Sequence, residues 1–147
     1  MAKKITRVMT ITAMAGQASL AKLGQKPGPF GIGAKLCQKF NAETEKRKGE
    51  LVPCILTIYE DRTFDIQLKT SPVFFLLEKA AKIQKGAATH KTAIAHIAYA
   101  EIEKIAKYKL PDLNVKTEQA AINCVLGTAK SMGIAVDGIP AATAATK

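Results

Sequence analysis

The sequence predicts an α+β protein in two parts: an N-terminal three-stranded sheet with a covering helix, and a C-terminal three-helix bundle. Three observations carry this. Three segments before residue 70 alternate apolar and polar residues, as half-buried strands do. After residue 70 the apolar residues recur three and four positions apart, as on one face of a helix. Between the two patterns stands Ser71-Pro72, which interrupts both. The expected domains are therefore 1–70 and 75–138, joined by a linker at 71–74 and followed by a flexible tail at 139–147.

In the first strand, Ile5–Ala13, Ile5, Met9, Ile11 and Ala13 share one face, while Lys4, Thr6, Thr10 and Thr12 lie mostly on the other; Arg7 and Val8 break the alternation. Gly16 to Gly33 holds five glycines with Pro27 and Pro29, which reads as a long loop. Ala34–Lys48 returns to helical spacing. Leu36, Cys37 and Phe40 lie on one side, Lys35, Lys39, Glu43 and Lys46 lie toward solvent, and Gly49 ends the helix. Leu51–Tyr59 and Thr63–Thr70 are the second and third strands, with Phe64, Ile66 and Leu68 inward. The polar turn Glu60-Asp61-Arg62 makes them a hairpin.

Beyond the linker, Val73–Gln84 reads as a helix aligning Phe74, Leu77 and Ala81, followed by a basic loop of small residues, Lys85–Lys91. Ala93–Tyr108 reads as one amphipathic helix through Ile94, Ile97, Ala98, Ile102 and Ile105, carrying His96 at its rim. Leu110-Pro111-Asp112-Leu113-Asn114 is a turn, and Thr117 is placed to cap the last helix. That helix buries Ala121, Ile122, Val125, Leu126 and Ala129 and stops at Gly133.

With 147 residues, 48% of them hydrophobic, the chain can bury a core without staples. No apolar run approaches the roughly 20 residues needed to span a bilayer, so no membrane partner is expected. Cys37, Cys54 and Cys124 are odd in number and lack CxxC spacing; all three read as small buried hydrophobes. His90 and His96 are the only histidines and lie in no zinc motif, so neither metal nor cofactor is expected. The formal charge is +10, and both halves contribute: 12 basic against 6 acidic residues in 1–70, and 10 against 6 in 71–147. A small chain this positive meets a polyanion, most commonly nucleic acid.

The stretch Gly28-Pro29-Phe30-Gly31-Ile32-Gly33 has neither the phosphate-loop nor the dinucleotide pattern, and Pro29 removes an amide that a phosphate nest would use. No nucleophile–histidine–acid set is suggested, so neither an enzyme nor a small-molecule substrate is expected. The end of the last helix is more informative. Gly127 within a helix costs about 1 kcal/mol relative to alanine. Close approach of another backbone would offset that, either a sugar-phosphate chain or a packed helix. Thr128, Lys130 and Ser131 beside it could serve phosphates and 2′-hydroxyls. Lys85, Lys91, Lys109 and Lys116 flank the helices, where they either converge on one polyanion or are simply solvated. Tyr59, Tyr99 and Tyr108 are too scattered for a base-stacking sheet, which favours shape-reading of a folded RNA.

Several segments resemble the bacterial-type family of large-subunit ribosomal protein eleven. They are Tyr59-Glu60-Asp61-Arg62-Thr63-Phe64, Lys69-Thr70-Ser71-Pro72, Phe75-Leu76-Leu77-Glu78-Lys79-Ala80-Ala81, Leu110-Pro111-Asp112-Leu113-Asn114 and Gly127-Thr128-Ala129-Lys130-Ser131-Met132-Gly133-Ile134; Phe40-Asn41-Ala42 adds a weaker match. The resemblance runs in order from about residue 3 to 138. It implies a non-enzymatic constituent of the large ribosomal subunit that binds the GTPase-associated region of large-subunit rRNA at the stalk base. Its partners would be that rRNA, stalk ribosomal proteins and, transiently, translational GTPases. The implied rRNA contacts are Lys85, Gly86, Asn114, Gly127, Thr128, Lys130, Ser131 and Gly133, to which the charge pattern adds Lys91, Lys109 and Lys116. The Lys85–Lys91 loop would order on binding.

One stretch departs from the family. A proline-rich loop reading roughly PAPPVGPALGQ is replaced by a shorter, mostly dissimilar segment that includes Gly24, Gln25, Pro27, Gly28 and Pro29. Those five residues are the expected factor and antibiotic side, and loss of the family's prolines predicts weak or absent thiazole-antibiotic binding. The acid-free first 42 residues and this divergent loop place the expected ribosome in a mitochondrial matrix slightly ahead of a bacterial cytoplasm. One rival reading is a free nucleic-acid-binding regulator whose helical bundle would enter duplex DNA, against which Lys116, Gln119, Asn123 and Lys130 are all the last helix offers for base edges. A second is an enzyme using the glycine-rich loop, which the charge disfavours.

Overall fold

The structure is a computed structural model that describes residues 3–23 and 30–140. It is α+β and divides into two compact units, one ending at Ser71 and the other beginning at Pro72.

The N-terminal unit contains strands β1 (Ile5–Met14), β2 (Leu51–Tyr59) and β3 (Phe64–Leu68), antiparallel in the order β1-β2-β3. Strand β2 alternates without a break, burying Val52, Cys54, Leu56 and Ile58. The register places Ile11 and Leu68 on either side of Cys54, so the three strands offer one apolar face. Helix α2 (Gly33–Thr44) covers it with Leu36, Cys37 and Phe40. Ile5 does not join that face and is 55% exposed. The register shifts between Ile5 and Arg7, and such an irregularity moves the residues before it out of the alternation.

The expected loop from Gly16 to Gly33 contains a one-turn helix, α1 (Leu20–Leu23), and its last residue already starts α2. Two side chains of α2 organise its first part. The Asn41 amide accepts from the Ala18 N–H at 3.0 Å and donates to the Ala18 carbonyl at 3.1 Å. The fully buried Thr44 hydroxyl donates to the Phe40 carbonyl at 2.7 Å and accepts the Gly16 N–H at 3.1 Å. These polar groups satisfy backbone that glycine and alanine cannot cover themselves.

In the C-terminal unit α3 (Val73–Ala81) begins inside the expected linker and ends three residues before Gln84. Lys82 is left-handed at φ +56°, and Ile83 donates its N–H to the Glu78 carbonyl at 3.0 Å. This is a Schellman-type stop with lysine where glycine is usual, and half-buried Ile83 supplies its apolar contact. The single helix expected over Ala93–Tyr108 is a strand followed by a helix: β4 (Ala95–Ala98) and α4 (Tyr99–Lys109). His96 therefore lies on a strand, exposed, with Nδ1 3.5 Å from Asp137 Oδ1. After a 3-10 turn at Leu110–Asp112 comes α5 (Glu118–Ser131), capped by Thr117, whose hydroxyl accepts the Ala120 N–H at 3.3 Å. Gly133 is left-handed at φ +70°, and β5 (Ile134–Asp137), which periodicity did not reveal, pairs parallel with β4. Among its described residues the unit is thus three α-helices plus a two-stranded ladder, not helices alone. Its core gathers Leu77, Ile97, Ile102, Ala106, Val125 and Ala129.

Cys37 and Cys54 are buried, whereas Cys124, expected to be buried, is exposed. The buried stripe of α5 is Ala121, Ile122, Val125 and Ala129, and position 124 falls on its other side.

Candidate nucleic-acid interface

The surface that brings several of the expected contacts together is built by the end of α5 and the loop of residues 82–94. Two backbone hydrogen bonds hold that loop: Ala87 N–H to the Met132 carbonyl at 2.9 Å, and Ile94 N–H to the Gly133 carbonyl at 2.8 Å. Between them, Thr92 donates to the Thr89 carbonyl at 3.4 Å, so His90 and Lys91 are the central residues of a turn. Gly133 sits beneath this turn. A Cβ there would lie 2.6 Å from both Ala87 Cβ and the Thr92 carbonyl oxygen, closer than side chains tolerate.

Two shallow adjoining clefts result. One, of about 270 Å³, is lined by His90, Gly127, Lys130 and Ser131. The other, of about 200 Å³, runs along His90, Lys91, Lys130 and Gly133 toward β5. His90 and Lys130 border both.

The surroundings of Gly127 rule out one of the two readings of its cost. It is exposed, and a Cβ added to it would meet nothing within 4 Å. Close packing against another helix is therefore not what offsets the glycine, and a bare stretch of helix faces outward beside Lys130 and Ser131. The neighbouring hydroxyls are already oriented. Thr128 donates to the Cys124 carbonyl at 3.1 Å, and Ser131 donates to the Thr128 carbonyl at 2.7 Å. With their protons so committed, both oxygens turn lone pairs outward, which suits a donor such as a ribose 2′-hydroxyl better than a phosphate. Phosphate would fall to Lys91 and Lys130, whose side chains are exposed.

The other expected contacts are distributed differently. Lys85 is exposed on the loop, and half-buried Gly86 lies against Met132, 3.5 Å from where its Cβ would be. Lys109 ends α4 with its side chain 14% exposed and its ammonium 3.6 Å from Asp112, where it closes the turn into the 3-10 segment. Asn114 and Lys116 are exposed just before the start of α5, a 14-residue helix about 21 Å long that carries Lys130 near its other end. Gly24, Gln25, Pro27, Gly28 and Pro29 lie outside the described residues. His90, which was not among the expected contacts, borders both clefts; its place between Thr89 and Lys91 in the basic loop is the one sequence feature that points to it. Among the described residues, no group of three His, Cys, Asp or Glu side chains is placed to hold a metal ion. No helix there is long and apolar enough to cross a membrane.

Comparison with known proteins identifies the family. Residues 9–64 match the family model for the N-terminal domain of ribosomal protein L11, and residues 69–136 match its RNA binding domain. The large ribosomal subunit protein uL11 of Mycoplasma pneumoniae is 47% identical over 141 residues, covering 92% of this chain and 98% of that protein. Its counterpart in Mycoplasma capricolum is 45% identical, covering 95% and 97%. That of Mycoplasmoides gallisepticum is 41% identical over 150 residues, covering 99% and 95%. These relatives are bacterial, so the preference for a mitochondrial matrix finds no support among them. With two matched domains and end-to-end similarity to such relatives, the chain belongs to the ribosomal protein L11 family.

Proposed function

We propose that this protein is a constituent of the large ribosomal subunit whose C-terminal unit grips folded large-subunit rRNA, in the GTPase-associated region. The N-terminal unit would face the stalk ribosomal proteins and, transiently, the translational GTPases. The chain supplies binding and position; GTP turnover stays with the factors. The observation that carries this reading is the bare, exposed Gly127 beside Lys130 and Ser131, next to a basic loop anchored on the same helix end. In this reading the three helices act as one rigid mount for that end of α5, and Lys85, Asn114 and Lys116 extend the contact along the RNA. The duplex-DNA alternative lacks such support, because α5 carries few long polar side chains able to reach base edges.

The test is a fluorescence anisotropy titration of the full chain against the GTPase-associated rRNA fragment and an unrelated hairpin, at two salt concentrations. Selective binding is expected, weakened by Thr128→Ala and Lys130→Ala, with Lys130→Ala reducing the salt slope by about 1. Equal binding to both RNAs that vanishes with salt would reduce the site to a basic surface and overturn the proposal.

A further inference from the structure

The turn that Gly133 admits does more than add charge to the interface. It carries His90 to the border of both clefts, beside Lys130 and next to the bare face of Gly127. The His90 side chain is exposed, and among the described residues no hydrogen bond or ion pair ties it to a neighbour. Beside a flat ring of this kind, the missing Cβ of Gly127 leaves an opening into which another flat group can slide. Lys130 stands at the rim of the same cleft, where a phosphate attached to that flat group would meet a cation.

From this arrangement we propose that His90 is an RNA-contact residue on which one unstacked base of the bound RNA stacks. The base enters the cleft beside Gly127, and Lys130 meets its phosphate. Planar side chains, histidine among them, serve as stacking platforms for bases splayed out of folded RNA. A cleft of about 270 Å³ suits one base rather than a run of them. The inference rests on the rRNA-binding reading and adds to it a specific role for a loop residue.

The test uses the full chain and the GTPase-associated rRNA fragment, with His90→Ala, His90→Phe and His90→Lys. Base–aromatic stacking changes affinity by about 1–3 kcal/mol on alanine substitution, which corresponds to about 5- to 150-fold. The expected result is a loss in that range for His90→Ala, near-complete retention by His90→Phe, which keeps a flat ring, and no rescue by His90→Lys. Base-specific chemical probing of the RNA then shows one nucleotide protected by the parent chain and by His90→Phe, but not by His90→Ala. Selective binding by the parent with an unchanged His90→Ala affinity overturns the role of His90 and leaves the rRNA reading intact. Rescue by His90→Lys but not by His90→Phe overturns stacking in favour of charge. Failure of the parent chain to discriminate between RNAs overturns both readings.

Discussion

Ala87 donates its N–H to the carbonyl of Met132 at 2.9 Å, which fastens the basic loop to the C-cap of α5 one residue before Gly133. The geometry works only while Gly133 lacks a side chain. Gly133→Ala would place a methyl 2.6 Å from Ala87 Cβ and from the Thr92 oxygen, at φ +70°. Strain of this kind costs on the order of 1–3 kcal/mol. Thermal unfolding should show a lowered melting temperature for Gly133→Ala, and rRNA affinity should fall because His90 and Lys91 lose their seat. An unchanged melting temperature would mean that the loop is not held as described.

Gly127→Ala should do the opposite to stability. The position is inside α5 with open space around it, so alanine should stabilise the helix by about 1 kcal/mol. The added methyl nevertheless stands where the RNA is proposed to approach. A variant that melts higher yet binds the rRNA fragment more weakly would separate the two roles of one residue. If it binds as tightly as the parent, close RNA approach at Gly127 is wrong.

Much of this architecture was legible in the sequence, and the failures share a cause. The β2–β3 hairpin, the cap at Thr117 and the stop at Gly133 announce themselves through strict alternation, a hydroxyl before a helical run and a glycine after it. Strand β4 was hidden because Ile94-Ala95-His96-Ile97-Ala98 satisfies both a two-residue and a helical period, alanine being neutral to either. What decides it is the distant partner β5, a parallel ladder that no local pattern encodes. Helix α1 was hidden by the glycines around it, and the stop at Lys82 by its being lysine. At the interface, residue types near Gly127 were readable, but the turn that brings His90 to them depends on contacts across about forty residues of sequence.

Thiol accessibility gives a direct check on α5. Native chain treated with a maleimide should label at Cys124 first, while Cys37 and Cys54 react only after denaturation. Mass spectrometry after short labelling reads this out. Labelling of Cys54 as fast as Cys124 would contradict the packing of β2 beneath α2. Bound rRNA should also slow labelling, because Cys124 lies one turn from Thr128, to which its carbonyl is hydrogen-bonded.

Alkaline pH tests the N-terminal core from a different side. Burial beneath α2 pushes the Cys54 thiol from 9.0 up to about 11; the nearby Glu43 carboxylate adds to the rise, and a backbone hydrogen bond with Ile11 opposes it. Burial also raises Cys37, and the hydrogen bond to Asp65 raises Tyr59. A raised value means that the folded chain keeps a proton which the unfolded chain has already released. The stabilisation from Cys54 is therefore fully present below pH 9 and is lost progressively as pH rises toward 11. Denaturant midpoints measured from pH 7 to 11 under reducing conditions should fall across that window. Cys54→Ala should start from a lower midpoint, having lost buried packing, and should fall less steeply between pH 9 and 11. Parallel slopes for the two proteins would mean that the Cys54 thiol is not held neutral by the fold.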